Sequence, residues 1–179
     1  MSDFRIASRY AKALFDRAVE TKTLDVIKKD IDHLCLIANE SKEFVLFLQS
    51  PLYKKSIKQN ALKKLFASAN ETTQSLYHLM IEKFREAFIP AMGDAFIGMY
   101  NKHNQIVQVT VVSAVTLDKN TIGEIENYVK ANSNAKTIQM TQEIKPSVIG
   151  GLTIEFGGKI YDNTVSNQIR KIKKELQLN

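Results

Sequence analysis

Up to about Asn104 apolar residues recur at the three-and-four spacing of helices, and beyond it at the two-residue spacing of strands. The first pattern predicts helices over 5–20, 24–38, 43–49, 56–67, 73–87 and 90–102. The third stops ahead of Pro51, because proline drives the residue before it out of the helical region. Pro90 suits a first helical turn, where its missing N–H leaves nothing unpaired. Six helices with short connections predict a compact six-helix bundle.

Past residue 104 the composition shifts: eight of the eleven valines and five of the seven glycines lie there. Val107, Val109 and Val111 alternate with Gln108 and Thr110, predicting a half-buried strand that runs on to Val115. Asp118 stands where it can cap a helix with Ile122, Ile125 and Val129 on one face. Ile138, Met140 and Ile144 predict a second strand, and Pro146-Ser147 a turn. Leu152, Ile154 and Phe156 alternate with Thr153 and Glu155 in a third strand flanked by Gly150-Gly151 and Gly157-Gly158, with room for a fourth behind it. Asp162 or Asn163 is then placed to cap a last helix through Leu178, with Val165, Ile169, Ile172 and Leu176 as its apolar positions. The expected fold is α+β in two domains: a helical bundle over 1–104, and a small mixed α/β domain over 105–179 with a sheet covered by helices.

With 44% hydrophobic and 25% charged residues, 179 residues suffice for a real core. No stretch approaches the ~18 apolar residues of a membrane span, and Met1-Ser2-Asp3-Phe4 leads into a helical pattern with no leader, so the chain is expected to be cytosolic. Cys35, alone of its kind, reads as a small apolar filler in a helix. The net charge of +6 is spread along the chain, +4 in 1–104 and +2 in 105–179. Only two clusters stand out, Lys54, Lys55, Lys58, Lys63, Lys64 and Arg170, Lys171, Lys173, Lys174, and both read first as solvated faces.

Candidate chemistry is sparse. His33, His78 and His103 are isolated and form no zinc pattern. Gly157-Gly158-Lys159 lacks the upstream glycine and the Ser or Thr of a phosphate loop, which leaves a glycine turn. Glu82 and Glu86 share a helix face, but Lys83 and Arg85 between them suggest a solvated surface. No catalytic residue, metal site or cofactor is expected.

Surplus apolar surface is the more informative signal. At 100° per residue, the apolar side chains of 5–20 cover roughly 240° of the helix, against the ~100° needed to dock on a core. In 73–87, Leu79 lies outside the apolar arc that holds Leu76 and Met80, beside Lys83. Should Leu76 and Leu79 flank Ile6, Tyr10 and Ala13, the bundle offers a groove for another protein's amphipathic helix. Ala13 would allow close approach, and Lys83 would meet an acidic neighbour at the rim.

Arg9-Tyr10-Ala11-Lys12-Ala13-Leu14-Phe15, Val112-Ser113-Ala114 before Leu117, and Gly150-Gly151…Gly157…Ile160-x-Asp162-x-Thr164-Val165 occur in the order seen in one family. The chain resembles the delta subunit of F-type ATP synthases, the family of the oligomycin sensitivity-conferring protein. Gly158 and Thr164 stand where family members commonly carry Asp and Ser. The resemblance implies a non-catalytic stator subunit on the cytoplasmic face of a bacterial membrane. Its N-terminal domain would grip N-terminal helices of alpha subunits on the catalytic head, and its C-terminal domain would hold the b-type peripheral-stalk subunits. It further implies alpha-subunit contacts at Tyr10, Ala13, Leu14, Leu76, Leu79, Met80 and Lys83, and Gly150, Gly151, Gly157 and Asp162 as signature positions. The competing expectation from charge alone is a nucleic-acid-binding domain, whose affinity would fall steeply with salt.

Overall fold

The computed structural model describes residues 2–133 and 135–177. The first unit, to Tyr100, is built from α1 (Ser2–Glu20), α2 (Leu24–Glu40), α3 (Lys42–Gln49), α4 (Lys55–Leu65), α5 (Glu71–Glu82), a 3-10 turn (Glu86–Phe88) and most of α6 (Ile89–His103). Local chemistry fixes several ends. The Ser41 hydroxyl accepts the Phe44 N–H at the start of α3, and the Asn70 side chain accepts the Thr72 N–H at the start of α5. The core is continuous: Ala7, Ala11, Leu14 and Ala18 of α1 meet side chains such as Ile27, Ile31 and Leu34 of α2, Phe66, Met80 of α5 and Phe96 of α6. Alanines dominate the buried face of α1, so its backbone can approach its neighbours closely. Each large side chain sealed there stabilises the fold by about 1.5–3 kcal/mol.

The expected helix over 73–87 is two elements. After α5 the chain turns through Phe84 at φ 55°, with Arg85 N–H donating to Met80 O at 2.8 Å and Phe84 N–H to Ile81 O at 3.0 Å. That is the hydrogen-bond pattern of a Schellman stop, formed around a phenylalanine where glycine is usual. Glu86 then falls on the 3-10 turn, not on a solvated helix face. Its carboxylate meets Lys58 Nζ at 2.7 Å, and the Lys58 side chain is 2% exposed. Lys58 also donates to Leu48 O at the end of α3. Lysine and glutamate both read as surface in the sequence, yet they form a nearly buried clasp joining α3, α4 and the 3-10 turn.

The second unit, from Asn101, holds β1 (Ile106–Ser113), α7 (Lys119–Asn132), β2 (Thr137–Ile144), a 3-10 turn (Pro146–Val148), β3 (Leu152–Phe156), β4 (Lys159–Asp162) and α8 (Val165–Gln177). The sheet order is β2-β1-β3-β4, with β1 parallel to β2 and antiparallel to β3. α7, capped by the Asp118 carboxylate on Thr121 N–H, makes the crossover that a parallel pair requires. Val109 and Val111 pair with Phe156 and Ile154, and Ile125 and Val129 of α7 complete their core. Gly157 and Gly158, both at positive φ, form the two-residue turn of the β3–β4 hairpin. Leu178 lies outside the described residues.

Candidate docking surfaces

α1 packs against α5, and the residues expected to form a groove divide by depth along both helices. Leu14, Leu76 and Met80 are buried core side chains. They can shape a partner site from beneath but cannot themselves touch a partner without repacking. Ile6 and Tyr10 are half-buried, while Ala13 and Lys83 are exposed. Leu79 is 44% exposed. The helical period accounts for this sorting. The buried arc of α1 runs through Ala7, Ala11, Leu14 and Ala18, and Ile6, Tyr10 and Ala13 form the next stripe round. On α5 the buried arc runs through Thr73, Leu76, Tyr77, Met80 and Ile81, with Leu79 and Lys83 on its flank. Each helix therefore carries an apolar shoulder beside its core face.

In the second unit three of the four signature positions meet in one joint. The Asp162 carboxylate accepts the Thr164 N–H at 3.0 Å and the Thr164 hydroxyl at 2.8 Å. The Thr164 hydroxyl in turn accepts Asn167 N–H at 3.1 Å, so Thr164 is the cap of α8, and Asp162 acts one step back to hold it. Gly150 O accepts Val165 N–H at 3.0 Å. Gly151 sits at φ 73°, where a β-carbon would lie 2.2 Å from Asn163 O, so no other residue fits. The joint fastens the start of α8 to the start of β3. Gly157 stands apart from it, in the hairpin turn. Donation by the Thr164 backbone N–H and then by its hydroxyl holds the Asp162 carboxyl below the usual carboxylate range.

Beyond this joint, α8 is largely uncovered. Val165, Ile169, Ile172 and Leu176 are all exposed, on one face at helical spacing, with Arg170, Lys171, Lys173 and Lys174 around them. Ile149 is exposed too, at φ 68° and ψ −46°, with Gly150 N–H donating to Val148 O at 2.7 Å. This is the positive-φ γ-turn, a strained geometry that β-branched residues rarely adopt.

Among the described residues no group of His, Cys, Asp and Glu could hold a metal ion, and no helix is long and apolar enough to cross a membrane. Burial, and then Asp94, push the Cys35 thiol up to about 12, which makes it a poor nucleophile.

Residues 6–176 match the family model described as ATP synthase delta (OSCP) subunit. The chain is 32% identical over 177 residues to ATP synthase subunit delta of Flavobacterium psychrophilum, covering 98% of this chain and 99% of that protein. It is 27% identical to the protein of the same name from Lactobacillus johnsonii, covering 98% and 97%. Its fold is similar to a chain in the cryo-EM structure of the Toxoplasma gondii mitochondrial ATP synthase hexamer, with a TM-score of 0.75, 20% identity, and 96% and 97% of the two chains covered.

The chain belongs to the ATP synthase delta (OSCP) subunit family.

Members of the delta family are peripheral-stalk components of F-type ATP synthase, and this delta-family chain is such a subunit, not itself catalytic. Gly150, Gly151 and Asp162 build an internal joint, consistent with a fold requirement. Three exposed features go unread in the sequence: Phe84, Ile149 and the openness of the α8 stripe. The α8 stripe was visible as a period, but a period alone does not say whether it is covered. For Phe84 and Ile149 there was no signal, because neither residue type announces a positive φ.

Proposed function

We propose that the first unit acts as a six-helix bundle that binds the amino-terminal helix of an alpha subunit along the shoulders of α1 and α5. Ile6, Tyr10, Ala13, Leu79 and Lys83 would make the contacts, over a floor set by Leu14, Leu76 and Met80. The observation that carries this reading is Leu79, a leucine 44% exposed on a helix whose core face is already full. Exposed leucines scattered singly mean little, but α5 packs against α1, a helix whose Ile6 and Tyr10 are half-buried. The second unit would hold b-type stalk subunits through α8, whose apolar stripe and basic border suit an acidic amphipathic helix. Together the two surfaces tether the catalytic head against rotor torque, with the subunit peripheral at the cytoplasmic face of a bacterial membrane.

Leu79→Glu tests the groove. A half-exposed site tolerates a carboxylate, so the melting temperature should stay within a few degrees, while affinity for a synthetic peptide of the cognate alpha subunit's amino-terminal segment should fall at least ~10-fold. Unchanged affinity by calorimetric titration would remove the assignment.

A further inference from the structure

We propose that the cleft between α4 and α5 binds a small organic anion, an apolar body that carries a carboxylate. None of the residues assigned to the α1/α5 groove lines this cleft, so the inference goes beyond that reading.

α4 and α5 pack side by side, and between them lies an open cavity of about 450 Å³. That volume falls within the ~300–1,000 Å³ usual for small-molecule sites. Its apolar lining is Leu62, Tyr77 and Ile81, which are 3%, 2% and 0% exposed, so this wall is already fixed in the packed core. The polar lining is shallower: Lys63 and His78 are exposed, while Gln59 and Gln74 are half-buried. Both carboxamides are tied down. Gln74 Nε2 donates to Ala69 O at 2.9 Å and to Phe66 O and Ala67 O at 3.2 Å. Gln59 Nε2 donates to Glu82 Oε1 at 2.7 Å. Walls held in this way leave little side-chain ordering for a ligand to bring about.

Charge selects the ligand. Lys63 and His78 are the basic residues of the lining, and no carboxylate lines the cavity. Neither makes a hydrogen bond or ion pair among the described residues. Lys63 and Lys64 both suit the last turn of α4 through the helix dipole, but only Lys63 lines the cavity. An ammonium and a ring N–H above an apolar wall are what a carboxylate on an apolar body requires. Size then restricts the occupant. The lining on α4 runs from Gln59 to Lys63, about 6 Å of helical rise, whereas an α-helix with its side chains is ~10–12 Å across. A partner helix is too broad for that opening, and a compact aromatic acid is not.

The test titrates naphthoate, and its neutral isostere naphthamide, into the full chain and follows backbone amide shifts by NMR. Naphthoate should bind with a dissociation constant on the order of 0.1–1 mM, and its shifts should centre on α4 and α5. Naphthamide should bind at least ~10-fold more weakly, because it lacks the charge. Lys63→Gln combined with His78→Gln keeps both exposed positions polar, so the melting temperature should hold while naphthoate falls to the affinity of the amide. The inference fails if acid and amide bind the wild type alike, or if the double variant binds the acid as the wild type does. It fails equally if neither probe shifts α4 and α5. Displacement of naphthoate by the alpha-subunit peptide would make the cleft part of a protein interface and overturn the small-molecule assignment.

Discussion

Asp162 shows how far one carboxylate's influence reaches. Its two bonds from Thr164 orient the hydroxyl that caps α8, and both are strongest while the carboxyl is ionised. Those bonds lower its folded pKa below the ordinary value of 3.8. The sign follows by linkage: its stabilising contribution is complete above the ordinary carboxylate range and drains away as the pH falls through the lower, folded value. Asp162→Ala should therefore melt below the wild type at neutral pH, and the two curves should converge in strong acid. Because Asp162 is exposed, the gap will be modest, and amide exchange in the first turn of α8 will report it more sharply than global melting. A constant gap at every pH would mean that the ionised carboxylate has no special part in the cap.

At the scale of elements, the sequence revealed periods well and stops poorly. Among the described residues the α-helices and the first three strands follow from apolar spacing, and the β3–β4 turn from its two glycines, while the sequence leaves only room for β4. The helix after Glu71 was read as running to Ala87 because its terminator is Phe84, and the usual stop residue, glycine, is missing. Glu86, with Lys83 and Arg85 before it, and Lys58, in a run of lysines, both read as surface, although they form a clasp whose halves, removed singly, would each leave a charge uncompensated at a cost of about 3–5 kcal/mol. Among the groove candidates the sorting on α5 is legible, because the projection sets Leu79 outside the arc that holds Leu76 and Met80; on α1, where apolar residues cover most of the helix, the depth of Leu14 relative to Ile6, Tyr10 and Ala13 is not. α8 raises the same question in a testable form. Its stripe is apolar and open, so Ile169→Ser with Ile172→Ser should change stability little, within roughly 1 kcal/mol for two surface sites. The double variant should lose at least ~10-fold in capture of a soluble b-type fragment. Unfolding of the variant would instead mean that the stripe is part of the unit's own core.

For the molecule as a whole, the decisive property is that each unit closes its own core. Leu14, Ile31, Phe66, Met80 and Phe96 belong to one cluster, and Val109, Val111, Ile125, Ile154 and Phe156 to another. The division falls after Tyr100, within α6, whose last turn runs on to His103. Tyr100 still serves the first unit, packing on its core and donating to the Asp25 carboxylate at 2.9 Å. Truncation should accordingly fall after α6 and not inside it, and removing 105–179 leaves that helix whole. The shortened chain should fold cooperatively with native helical circular dichroism and bind the alpha-subunit peptide within about threefold of the full chain, as expected where sites share no partners. It should fail to retain b-type subunits, because α8 and the joint that fixes it are gone. A tether needs two ends that hold independently, so loss of both activities in the shortened chain would show that peptide capture depends on the second unit, and would overturn the assignment of one partner to each.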